Sequence, residues 1–246
     1  MIDKAVPTIV TRIRRFFASN TSAGEKRRSG AGLLLTLVLL PLLLGVLACL
    51  PVPVGDPEKS RIDPSLSGAW SFVNSDGGHM LMVLDPYDKR TWLLTLIGLT
   101  ALPVGETDAA AVSPKLPFNA ANADRFKVEG MGVYKCWLTK IGGETFMTWE
   151  SRTLSEISPG ENSGEWWVFR VRKSGDDIFY LDGFDYAIDG LDKVETRRDA
   201  EKIIRRHVDD PTFFSVEDSP RLQRLSAGDF KALAKLLKDF GIEDTL

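Results

Sequence analysis

YKCWLTKIGGETFMTW, residues 134–149, consists of two runs of aromatic, β-branched and polar residues joined by Gly142-Gly143. A glycine pair reaches the backbone angles that a tight hairpin turn requires, so Lys127–Lys140 and Glu144–Glu150 are predicted to pair as antiparallel strands. Within the first, Tyr134, Cys136 and Leu138 fall on one face, because side chains alternate along a strand. Cys136 in that position reads as a small core hydrophobe.

Working outward, the same pattern recurs on both sides. Downstream, Trp167, Phe169 and Val171 share a face opposite Arg170 and Arg172, and Ser174-Gly175-Asp176 turns this strand into Asp177–Phe184. Upstream, Ala69–Asn74 is a strand turned by Ser75-Asp76-Gly77-Gly78 into His79–Leu84. Asp85-Pro86-Tyr87-Asp88 then leads into Trp92–Leu99. Residues 101–124, rich in Ala, Pro and Asn, lack periodicity and read as a long loop or a short helix with irregular flanks. After residue 190 the period changes: Arg198–His207 is a short helix, Thr212–Val216 a short strand, and Ser226–Phe240 the best helix. Ser226 and Asp229 start that last helix as a capping box, its apolar stripe includes Phe230, Leu233 and Leu237, and Gly241 ends it.

Gly68-Ala69-Trp70 opens the first strand, about eight strands follow in sequential hairpins, and a helix closes the chain. Together these resemble the calycin superfamily, whose lipocalin members begin with a G-x-W motif. The resemblance covers residues 68–241 in ordering and implies an up-and-down antiparallel barrel or half-barrel able to hold a ligand or a partner. It supplies no catalytic residue. Residues 134–149 followed by WWVFRV and SGDDIFYLDGFD also look like a group of uncharacterised bacterial envelope and lipoprotein domains. The expected fold class is mainly β, with one N-terminal transmembrane helix and a C-terminal α-helix.

The helix expected in the membrane is AGLLLTLVLLPLLLGVLACL, residues 31–50, which carries no charge. At a rise of about 1.5 Å per residue, some twenty residues cross a hydrocarbon core of about 30 Å. The whole chain has 31 basic and 34 acidic residues, of which seven and two lie in residues 1–29, leaving 24 and 32 for residues 30–246. A basic N-terminal flank places that end in the cytoplasm and the main domain across the inner membrane, periplasmic in a Gram-negative cell. Val6, Ile9, Ile13 and Phe17 recur at helical spacing among arginines, which suits a surface helix on the inner membrane face. The expected organisation is a basic cytoplasmic segment over 1–29, a signal-anchor span over 30–50, a linker over 51–65 and an exported domain over 66–246. Two competing readings remain: lipidation at Cys49, since Val46-Leu47-Ala48-Cys49 loosely resembles a lipobox, and ordinary signal cleavage.

The acidic excess of the main domain repels phosphate backbones, which argues against nucleic acid as a partner. His79 and His207 are the only histidines, in no paired metal spacing, and read as surface or helix-end residues. Gly160-Glu161-Asn162-Ser163-Gly164 lacks the spacing of a nucleophile elbow, and the acidic run 182–190 lacks the ligand alternation of a calcium loop. No catalytic residue, metal site or cofactor is expected. The reading is therefore a non-enzymatic, membrane-anchored envelope protein that binds a partner protein or a small apolar molecule, with Trp70, Tyr134, Trp137 and Trp167 as the expected ligand wall. The alternative is an enzyme acting on an envelope substrate through carboxylates such as Asp182 and Asp185.

Overall fold

The computed structural model describes residues 49–74, 77–102, 118–151, 166–184, 190–216 and 219–240. The strands are β1 (Cys49–Leu50), β2 (Gly68–Val73), β3 (His79–Pro86), β4 (Trp92–Ala101), β5 (Phe126–Ile141), β6 (Glu144–Ser151), β7 (Trp166–Lys173), β8 (Ile178–Phe184), β9 (Phe214–Ser215) and β10 (Arg221–Arg224); the helices are α1 (Arg197–His207) and α2 (Ala227–Asp239). Strands β2 to β8 follow one another as an antiparallel meander, β10 inserts between β8 and β2, and β8 also pairs with β7. The result is a closed eight-stranded antiparallel barrel, consistent with a calycin-like fold. Among the described residues the short strands β1 and β9, each paired on one side only, flank the closed barrel.

The hairpin that anchors the reading is present: Ile141 pairs with Glu144, and Gly142 and Gly143 both hold positive φ, 62° and 94°. Register then places Trp70, Met82, Leu94, Cys136, Trp149 and Leu181 inside the barrel, where they form one apolar core. The outer wall carries two more cores. Phe230, Leu233 and Leu237 of α2 pack on Leu81, Val83 and Ile97. Ala200 and Ile204 of α1 pack near Phe146, Val168 and Phe184. Ser226 and Asp229 form the expected capping box at the start of α2. All three cores lie within residues 49–240, so this part of the chain carries its own folding unit.

One end of the barrel is plugged. Asp63 caps a short 3-10 turn, Pro64–Leu66, that drives Leu66 into the interior. Trp70 Nε1 donates to the Leu66 carbonyl at 2.9 Å and Trp92 Nε1 to Ser67 Oγ at 3.0 Å. The Arg224 guanidinium lies 4.2 Å from the Trp70 ring centre and donates to the carbonyls of Ser67 and Ser65. Gly68 has φ +127°, and a Cβ there would come within 2.7 Å of Arg224 Nη1. The Gly-Ala-Trp triplet thus has a physical reading: the glycine clears space for the cation that covers the tryptophan.

Several expectations need correction. Cys49–Leu50 is a strand paired with Trp167–Trp166, and Leu50 is buried, so a span cannot extend to residue 50. Residues 51–65 are not a loose linker. The Val54 carbonyl accepts from Trp137 Nε1 at 2.9 Å and Thr148 Oγ1 at 2.8 Å, and Ser60 Oγ accepts from the Leu138 N–H. Asp85 and Pro86 belong to β3 rather than to the turn after it. The strand expected at 212–216 is confined to Phe214–Ser215, because a 3-10 turn takes Pro211–Phe213. His79 is buried against Phe126 rather than on the surface, and burial pushes its pKa down. No helix among the described residues is long and apolar enough to cross a membrane. Residues 1–48, with the basic segment and nearly all of the apolar run, lie outside the described residues, as do Gly160–Gly164 and Asp185.

Candidate functional site

The opposite end of the barrel, among the described residues, is lined by glycines and half-buried apolar side chains. Three glycines occupy adjacent inward positions: Gly98 pairs with Gly130, and Gly132 pairs with Leu96. None has a positive φ, so backbone conformation does not demand glycine there. At Gly132 the neighbouring ring does, since a Cβ there would come within 2.8 Å of the Tyr134 hydroxyl oxygen; a Cβ on Gly130 meets no atom within 4 Å and one on Gly98 finds its nearest neighbour at 3.8 Å, so these two positions leave space. Glycine inside a strand sacrifices both stability and packing, and it is kept where something must approach the backbone closely. A register shift between Gly98 and Leu99 leaves Glu129 as the extra residue of a bulge, so Val128 packs outside while Gly130 faces inward.

Next to this bare wall stand four aromatic rings. Tyr134 meets Trp167 edge-on at 5.2 Å, Trp149 lies 5.8 Å from Tyr134, and Phe169 lies 4.6 Å from Trp149. Met80, Leu96, Tyr134, Trp167 and Phe169 are only half-buried, whereas Trp70, Trp92 and Cys136 at the plugged end are 1%, 0% and 0% exposed.

Trp149 adds a polar feature. The side chain is 6% exposed, its Nε1 is buried, and no acceptor reaches it among the described residues. Three other indole N–H groups are satisfied, those of Trp70, Trp92 and Trp137. A buried donor without a partner costs about 1–3 kcal/mol; Asn74 Oδ1, His79 Nδ1 and Thr95 Oγ1 are likewise buried without a partner among the described residues.

Of the residues expected to form a ligand wall, Tyr134 and Trp167 come together here. Trp70 faces inward but lies under Arg224 at the plugged end. Trp137 points outward and is covered by Val54. Trp149, Phe169 and the three glycines are the residues the sequence reading missed, although Gly98, Gly130 and Gly132 within strand patterns are a visible signal.

Other polar groups sit elsewhere. Cys136 is fully buried, and burial pushes its thiol far above the ordinary range, which removes the thiolate. Asp182 is buried on the outer face of β7 and β8, where Arg172 Nη2 reaches Oδ1 at 2.7 Å, Ser219 Oγ reaches it at 2.6 Å, and Arg170 Nε reaches Oδ2 at 2.9 Å. Burial disfavours its charge, but the bonds from Arg172, Ser219 and Arg170 outweigh that and hold the carboxyl below its usual range. Asp182 is thus held ionised at neutral pH by Arg170, Arg172 and Ser219, with its pKa shifted in the direction opposite to that of a general acid. Among the described residues no group of three His, Cys, Asp or Glu could hold a metal ion. Comparison of the chain with protein-family models, with curated proteins and with solved structures returns no match.

Proposed function

We propose that the domain is a non-enzymatic binding protein whose barrel takes a small, mainly apolar molecule carrying one hydrogen-bond acceptor. The observation that carries this reading is the space left beside Gly98 and Gly130 together with the indole N–H of Trp149, which has no partner among the described residues. A site lined by rings and aliphatic side chains, with few polar groups to orient the guest, suits such a molecule. Tyr134 and Trp167 form its side, and Trp149 supplies the donor.

The second part of the proposal is tethering: the uncharged run ahead of Cys49, flanked by Lys26, Arg27 and Arg28, holds the domain on the outer side of a cytoplasmic membrane, either as a retained span or through a lipid on Cys49. β1 then joins the anchor directly to the barrel wall beside Trp167. A reporter active only outside the cytoplasm, fused after Leu246, is expected to be active; an inactive one would overturn the tethering.

The ligand reading is tested with residues 49–246 and the neutral fluorophore N-phenyl-1-naphthylamine. Saturable binding is expected, with displacement by 1-decanol. Gly130→Leu, which projects a side chain into the empty wall, is expected to weaken binding at least about tenfold, corresponding to about 1.4 kcal/mol. The same substitution leaves the thermal midpoint unchanged or raised, because strand glycine is itself unfavourable. Equal binding by Gly130→Leu, or no saturable binding by the wild type, would exclude a ligand site at this end.

A further inference from the structure

A cavity of about 820 Å³ lies at the plugged end of the barrel, walled by residues 55–64, the β5–β6 hairpin and the first two turns of α1. Its walls are fixed by bonds from the backbone. Gly55 has φ +76° and is pressed so closely on Thr139 that a Cβ would overlap the threonine hydroxyl. The Gly55 N–H donates to Glu201, and its carbonyl accepts from Arg197. The groove is therefore a built feature of the wall rather than a gap between loops.

Its charge runs against that of the domain. Residues 30–246 carry 24 basic and 32 acidic groups, yet the groove is lined by five cations and three carboxylates. Each carboxylate is already engaged: Asp56 by Lys59 and Arg197, Asp63 by Lys173, and Glu201 by the Gly55 N–H. Arg61, Lys140 and Arg198 remain, exposed and without a carboxylate partner among the described residues. They stand one on each of the three walls, while Ile62, Pro64 and Leu138 supply an apolar lining.

The geometry points to a binding site for an anionic amphiphile, a molecule with a carboxylate or phosphate head on a short apolar body. Arg61, Lys140 and Arg198 would hold the head, since guanidinium and ammonium groups are the side chains that pair with such oxyanions, and the apolar lining would receive the body. The volume falls within the range of small-molecule sites, about 300–1,000 Å³. Ile62 and Leu138 pack on the barrel core at its plugged end, at the opposite end from Gly98 and Gly130.

Isothermal titration of residues 49–246 carrying Gly130→Leu, with octanoate, octyl phosphate and 1-octanol, tests the assignment without a contribution from the barrel. Saturable binding of octyl phosphate or octanoate is expected, stronger than that of 1-octanol and weakening as salt is raised; the preferred anion identifies the head group. The triple substitution R61A/K140A/R198A removes three exposed side chains, so the unfolding midpoint should hold while anion affinity falls at least about tenfold. The single charge reversal R198E should weaken binding in the same direction. Binding of 1-octanol as strong as that of the anions, an unaffected triple variant, or no saturable binding of either anion would overturn the assignment. None of these outcomes alters the test of the barrel site, which uses neutral probes.

Discussion

Trp70→Ala is expected to lower the free energy of unfolding by about 3–5 kcal/mol, the largest loss from any single truncation in the barrel interior. The side chain is 1% exposed and meets Phe179 edge-on at 4.6 Å. Truncation opens a cavity at the plugged end, leaves the Leu66 carbonyl without its indole donor and takes away the ring beneath Arg224. The three losses involve β2, the plug and β10 together, so they do not relax independently. Trp166→Ala, at a half-buried position on the outer wall, should cost much less. Urea unfolding of residues 49–246 measures both; a loss below about 1 kcal/mol for Trp70→Ala would contradict the role given to the plug.

Asp182→Ala is expected to cost a comparable amount, about 3–5 kcal/mol, because it strands two guanidinium groups that share the carboxylate. Arg170 is the more sheltered of the two, with its side chain 13% exposed and lying 3.7 Å over the Phe214 ring. The pH dependence follows from the sign of the shift. The folded carboxyl titrates below its ordinary value of 3.8, so its stabilising effect is complete above that pH and is lost as pH falls through 3.8 toward the lower folded value. Unfolding midpoints measured from pH 7 down to pH 2.5 should therefore fall more steeply below pH 4 for the wild type than for Asp182→Ala. Parallel curves would mean that Asp182 is not held ionised by its partners.

The elements legible in the sequence were those whose signal is local. The β5–β6 hairpin shows as alternation on either side of a glycine pair, and α2 shows as a capping box with an apolar stripe. β10 was not legible: Arg221-Leu222-Gln223-Arg224 has one apolar residue and follows a proline, and it becomes a strand because the barrel needs a member between β8 and β2. The partner of the G-x-W triplet was equally hidden, since Arg224 lies 157 positions from the Ser67 carbonyl it caps.

At the site, the odd spacing of Tyr134 and Trp137 already required opposite faces, so only one of them could line the interior. Both faces of β5 look apolar because residues 51–54 cover the outside at Trp137, and no pattern within the strand reveals that cover. His79 misleads for the same reason, being buried by Phe126 from a distant segment. The three inward glycines were visible, but their meaning depends on register, which only the closed barrel supplies.

The central claim, that the open end of the barrel receives a guest whose acceptor pairs with Trp149, is most directly tested in the indole region of a two-dimensional ¹H–¹⁵N spectrum. Residues 49–246 would be titrated with 1-decanol, and the Trp149 resonance assigned through Trp149→Phe. A downfield shift of the Trp149 indole proton is expected as it gains an acceptor, with the bonded indoles of Trp70, Trp92 and Trp137 nearly unmoved. A titration in which Trp149 stays fixed while the others shift, or in which no indole responds, would contradict it.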